Sequence, residues 1–236
     1  MKNQKIVLIT GATSGYGLET AKLFRQNGYT VLIASRNPQK VADCTAQYGF
    51  AKGYTLDVTD YDGWLRLRDD LTRDFGRLDV LVNNAGAGIA IVPTTAQTKD
   101  TIDRIVALNL TANIYGANVL APMMTAQRDG VIINVSSICA RHQWPGWTVY
   151  GCAKAGLLSF SKGLYTELRP HGVRVCCVMP GQASTGFQHG SGIGEVTESL
   201  RAEDIANAVW YCASQPKEVV IEEVTVWGTS QDVQPL

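Results

Sequence analysis

Ser137, Tyr150 and Lys154 are the side chains whose types and spacing allow proton chemistry. Tyr150 and Lys154 stand at i and i+4, which on a helix puts them one turn apart on one face. A phenol, with an ordinary pKa of about 10, is a poor acid or base near neutrality. An ammonium one turn away would stabilise the phenolate and make a usable proton shuttle. Ser137 closes a predicted strand, where its hydroxyl can polarise a carbonyl oxygen.

The same Ser, Tyr and Lys spacing occurs a second time, at Ser35, Tyr48 and Lys52, so spacing alone does not select the reactive group. Position does. Tyr48 precedes Gly49 at a predicted helix end, whereas Ser137 and Tyr150 flank the carboxyl end of a central strand, where ligands bind in open α/β sheets.

The scaffold behind these residues is written in alternating short apolar runs and longer amphipathic stretches, the pattern of a parallel sheet with crossover helices. Strands are predicted over residues 5–10, 30–35, 53–58, 78–83, 131–136, 173–179 and 223–227. Helices are predicted near 17–27, 38–47, 60–74, 98–126, 149–168 and 202–213. Runs such as Val-Leu-Ile-Ala suit strands covered on both faces. The expected fold is α/β: one doubly wound, Rossmann-type domain over residues 1–236, with a seven-stranded, mostly parallel sheet and helices on both faces. Glycines crowd between Pro180 and Gly194, which predicts a mobile lid at about 181–200; an irregular connection is the alternative.

Thr10 to Gly17 follows the first predicted strand and opens the first helix. Glycines there permit a tight turn and bring backbone N–H groups to a pyrophosphate at the helix start. Gly11, Thr13, Ser14, Tyr16 and Gly17 are the candidate contacts; a purely structural turn is the other reading. After the second strand, where a carboxylate would bind a ribose 2′-hydroxyl, the chain has Ser35, Arg36 and Asn37. No acid is present, and a guanidinium can hold a 2′-phosphate through paired charged hydrogen bonds. NADP(H) is therefore expected over NAD(H), unless Arg36 is an ordinary solvated residue. Asp57, with Val58 beside it, is expected at the adenine edge. Asn83, Ala85 and Gly86 would let the chain pass close to the ribose, or else form a simple turn.

Lys plus Arg and Asp plus Glu each number 21, so no net field recruits nucleic acid or an anionic membrane. No apolar run approaches the ~18 residues of a membrane span, and no signal-like segment opens the chain. Six cysteines lack C-x-x-C spacing and read as reduced residues of a cytoplasmic protein. Three scattered histidines make a metal site an unattractive reading.

Taken in order, Thr10 to Gly17 (T-G-x-x-x-G-x-G), Asn83 to Gly86 (N-N-A-G), Asn109, Ser137, Tyr150, Lys154 and Pro180-Gly181 resemble the short-chain dehydrogenase/reductase family over nearly the whole chain. The resemblance implies that Asn109 holds a water linking the lysine to a proton relay, and that Lys154 binds ribose hydroxyls while lowering the tyrosine pKa. It places Thr185 on the nicotinamide carboxamide, with Pro180 and Gly181 beside the cofactor. The implied activity is an NADP-dependent alcohol dehydrogenase or carbonyl reductase, in a homodimer or homotetramer. Extended sugar-nucleotide epimerases and a non-catalytic NADP-sensing regulator are the rivals.

The segment from Ile138 to Trp147 joins the serine strand to the tyrosine helix and must border a small-molecule substrate. Arg141 can hold an anionic group or point to solvent. Trp144 and Trp147 can wall the substrate, meet the lid or pack on a neighbouring subunit, with residues 87–92 opposite.

Overall fold

The computed structural model describes residues 4–183 and 200–231. Seven strands, β1 (Ile6–Thr10), β2 (Thr30–Ser35), β3 (Lys52–Thr55), β4 (Val80–Asn83), β5 (Gly130–Val135), β6 (Val173–Pro180) and β7 (Glu223–Val226), form one sheet in the order β3-β2-β1-β4-β5-β6-β7. Every pairing is parallel, so the sheet is wholly rather than mostly parallel among the described residues.

Seven α-helices accompany the described strands: α1 (Gly15–Gln26), α2 (Pro38–Tyr48), α3 (Tyr61–Asp74), α4 (Lys99–Val106), α5 (Ala112–Gln127), α6 (Thr148–Leu168) and α7 (Ala202–Ser214). Alternate strand residues feed two cores. Ile6, Leu8, Leu32, Leu81 and Ile132 meet Trp64 of α3, Leu120 of α5 and Leu164 of α6. Val7, Ile9, Ile33, Val82 and Ile133 meet Phe24 of α1 and Val209 of α7. With both faces covered, unbroken apolar runs are what the strands require.

Local signals set several boundaries. Asn37 accepts the Lys40 N–H at 2.9 Å and Pro38 follows it, while Gly49 takes the left-handed conformation that closes α2. Thr98 caps α4 through the Thr101 N–H.

β3 and the helix expected over 98–126 differ from the sequence expectation. β3 stops at Thr55 instead of Val58, because the Asp57 carboxylate turns the chain by accepting the N–H and hydroxyl of Thr59. The single helix expected over 98–126 is broken into α4 and α5 by a π-turn over Ala107–Thr111. Such turns insert a wider backbone ring and often mark functional sites.

Thr185 and most of the expected lid lie outside the described residues. The two ends of that segment meet, since Ala183 and Leu200 form a parallel bridge. Cys139, Cys176, Cys177 and Cys212 are buried, but Cys44 is half-buried and Cys152 exposed, so not all six belong to the core. Among the described residues no helix is long and apolar enough to cross a membrane.

Candidate active site

The sheet order reverses direction between β1 and β4, and the carboxyl ends of β1, β4 and β5 lie side by side there. Crevices at such switch points receive ligands in open α/β sheets. Thr10 fastens this corner: its hydroxyl accepts the N–H groups of Asn84 and Ala85, each at 3.0 Å, and the Asn84 amide returns a bond to the Thr10 carbonyl at 2.8 Å.

The glycine-rich turn is locked against that stretch. Gly11 has φ +65, and a Cβ on Gly17 would stand 2.5 Å from both the Asn84 amide nitrogen and the Gly11 carbonyl oxygen. No other side chain fits there without displacing backbone. Ser14 precedes α1 in extended conformation without a side-chain capping bond, and the first turn contains no acid. The N–H groups and positive end of α1 thus suit an anion. Thr13 donates to Ser35 at 3.2 Å, tying the turn to the end of β2, and Arg36 is exposed just beyond.

Other expected contacts sit differently. The Asn37 carbonyl oxygen is engaged in capping α2. Val58 is buried in the core, and its carbonyl accepts the Trp64 indole N–H at 2.9 Å. Asn83 is also buried, its amide donating to Asn134 at 2.9 Å, and Asn134 donates in turn to Ser161 at 2.9 Å. Gly86 does approach the reactive group: a Cβ there would lie 3.0 Å from the Asn109 side-chain oxygen and 3.4 Å from the Lys154 ammonium. Pro180 ends β6, and Gly181 donates to the Val226 carbonyl at 2.7 Å.

Ser137, Tyr150, Lys154 and Asn109 are all buried. Ser137 caps a short 3-10 turn (Ile138–Ala140) by accepting the Cys139 N–H at 3.1 Å. The Lys154 ammonium donates to the Val135 carbonyl at 3.0 Å and stands 5.7 Å from the Tyr150 ring centroid. Ser136 bonds the Lys154 carbonyl at 2.9 Å, joining the end of β5 to α6. Asn109 sits in the π-turn with each side-chain polar atom on a backbone partner: Ala87 through both N–H and carbonyl, and the Ile105 carbonyl. The Asn109 main-chain carbonyl accepts from Asn113 at 3.2 Å. The relay role implied for Asn109 therefore does not run through an unengaged amide.

Burial governs the ionisation of this group. It pushes the Tyr150 phenol well above its ordinary value; Cys139 adds to the shift, a hydrogen bond with Ser137 opposes it, and Tyr16 adds a smaller push. Burial lowers Lys154 to about 8. Burial thus disfavours the charged form of each group, the phenolate of Tyr150 and the ammonium of Lys154.

Trp147 meets the Tyr150 ring edge-on at 5.4 Å, and Trp144 packs on the same cluster. Arg141 is held by Glu223 at 2.5 Å. The duplicate triple does not assemble: Ser35 accepts from Thr13, Tyr48 packs on Phe50, and Lys52 pairs with Asp74. Ser136, Asn113, Asn134 and Ser161 lie outside the residues that the sequence analysis singles out. A polar residue inside the apolar run Val-Ile-Ile-Asn-Val was the available signal for Asn134.

Residues 5–196 match the family model described as short chain dehydrogenase. The chain belongs to the short chain dehydrogenase family. A relative in this family, serine 3-dehydrogenase of Agrobacterium fabrum (strain C58 / ATCC 33970), is 34% identical over 95% of this chain and 94% of its own. An uncharacterised oxidoreductase of Staphylococcus aureus (strain N315) is 32% identical over 94% of this chain and 96% of its own. Among solved structures, the closed form of serine dehydrogenase complexed with NADP+ superposes with a TM-score of 0.92 at 27% identity, covering 98% of both chains. As a short chain dehydrogenase, the protein is an oxidoreductase.

Proposed function

We propose that the protein is an NADP(H)-dependent alcohol dehydrogenase or carbonyl reductase in which Tyr150 moves the proton. The observation that carries this reading is the buried group itself: Tyr150 beside Ser137, with Lys154 one turn along α6, at the carboxyl ends of the central strands. The uncapped α1 N-terminus, Ser14, Gly11 and Gly17 would hold the pyrophosphate, and Arg36 with Ser35 the 2′-phosphate. The NADP+ in the serine dehydrogenase structure supports that choice of cofactor.

When bound, NADP(H) supplies or accepts the hydride. Ser137 orients the substrate oxygen. Tyr150 gives that oxygen a proton in reduction and takes one from the alcohol in oxidation. Lys154, fixed by Val135 and Ser136, holds its end of the cleft and, when protonated, favours the phenolate needed for oxidation. Free cysteines support a cytoplasmic home, and the β7 edge supports pairing with further copies in a homodimer or homotetramer.

The test is NADPH consumption by the purified protein with aldehydes, ketones and 3-oxo acids, and NADP+ reduction with the matching alcohols, including serine, the compound in the name of the relative serine 3-dehydrogenase. Turnover with at least one carbonyl compound is expected. Tight NADPH binding with no turnover in either direction would instead identify a cofactor sensor.

A further inference from the structure

We infer that the site takes an uncharged carbonyl compound bearing a bulky apolar group, and that Glu223 sets this preference by holding Arg141. The inference rests on the oxidoreductase reading above and adds its substrate class.

The wall around the reacting phenol is apolar. Tyr150 shares a cluster with Ile105 and Cys139, and Ile89, Ile91, Trp144 and Trp147 pack against it. A carboxylate pressed against such a wall loses hydration and gains no partner. An apolar group of matching bulk gains from the same surfaces.

The cation on the connector between Ser137 and Tyr150 is Arg141. Its guanidinium lies 2.5 Å from one carboxylate oxygen of Glu223 on β7, and Lys162 lies 3.7 Å from the other. That second oxygen is buried and accepts no hydrogen bond. An anionic substrate bound to Arg141 would have to take it from Glu223, whose side chain is 28% exposed, leaving that carboxylate with the more distant Lys162 alone. The Lys154 ammonium is bonded to Val135. Glu223 thereby acts against anions, a specificity built from repulsion as well as attraction.

The step is a balanced two-electron reduction: NADPH gives its hydride to the carbonyl carbon and becomes NADP+, while Tyr150 gives a proton to the oxygen and regains one from water.

Two aldehydes of nearly equal bulk test the inference, para-formylbenzoate and its neutral methyl ester, each with NADPH. The wild-type kcat/KM should favour the ester by about tenfold or more. Glu223→Gln should narrow that ratio by about two- to fivefold, through a lower KM for the acid, with the ester nearly unchanged. NADPH binding to Glu223→Gln, followed by fluorescence, checks that the variant is folded. Equal or better use of the acid by the wild-type protein overturns the inference, whatever the variant does. So does a loss of acid turnover in Arg141→Gln while the ester is spared, since Arg141 would then already serve anions. Absence of turnover with both aldehydes and with every compound of the wider panel overturns the proposed carbonyl reductase function instead.

Discussion

The Lys154 ammonium donates to the Val135 carbonyl at 3.0 Å and stands 5.7 Å from the Tyr150 ring centroid, so the two titratable groups share one dry corner of the fold. Neither is exposed, and burial moves each toward its neutral form.

For Lys154 the consequence is a pH-dependent stability. Its folded pKa, about 8, lies below the ordinary 10.5, so between these values the unfolded chain binds more protons than the folded one. Stability therefore rises with pH across that window. Relative to Lys154→Met, the wild-type protein should gain about 2 kcal/mol between about pH 7 and about pH 9.5. Urea unfolding of both proteins at both pH values measures this; a constant difference contradicts it.

Arg36→Ala should cut the preference for NADPH over NADH by about ten- to a hundredfold, the worth of a charged hydrogen-bonded contact to a phosphate. The ratio of kcat/KM values for the two cofactors reports it. An unchanged ratio would leave Arg36 as a solvated surface residue.

Asn113 holds the π-turn from within. Its amide donates to the Asn109 carbonyl at 3.2 Å, and its own main-chain carbonyl accepts from Asn83 at 3.4 Å. Asn113→Leu leaves a buried carbonyl without that donor, at a cost of about 1–3 kcal/mol. Thermal unfolding should shift down, and turnover should fall with little change in NADPH affinity. A variant with wild-type melting and kcat would show that the bond contributes nothing.

Much of this was legible in the residues. The two-sided apolar strands and Gly11, Gly17, Tyr150 and Lys154 announce themselves because each answers to a local rule: periodicity, φ above zero, close backbone approach, one-turn spacing. The π-turn at Asn109 does not, and the bonds from Asn109 to Ala87 that accompany it join residues far apart in the chain. Nor do the inward turn of Asn83 toward Asn134 or the capture of Arg141 by Glu223, both of which join residues far apart in the chain. The ionisation of Tyr150 and Lys154 is not legible either, because it depends on the depth of both groups and not just on their spacing.

The most direct test of the account is Tyr150→Phe, assayed for turnover and for NADPH affinity, with Tyr48→Phe from the duplicate triple as control. Tyr150→Phe should lose about a hundred- to ten-thousandfold in kcat with NADPH affinity nearly intact, and Tyr48→Phe should behave as wild type. A Tyr150→Phe protein that keeps wild-type turnover would contradict the assignment of the proton to this phenol.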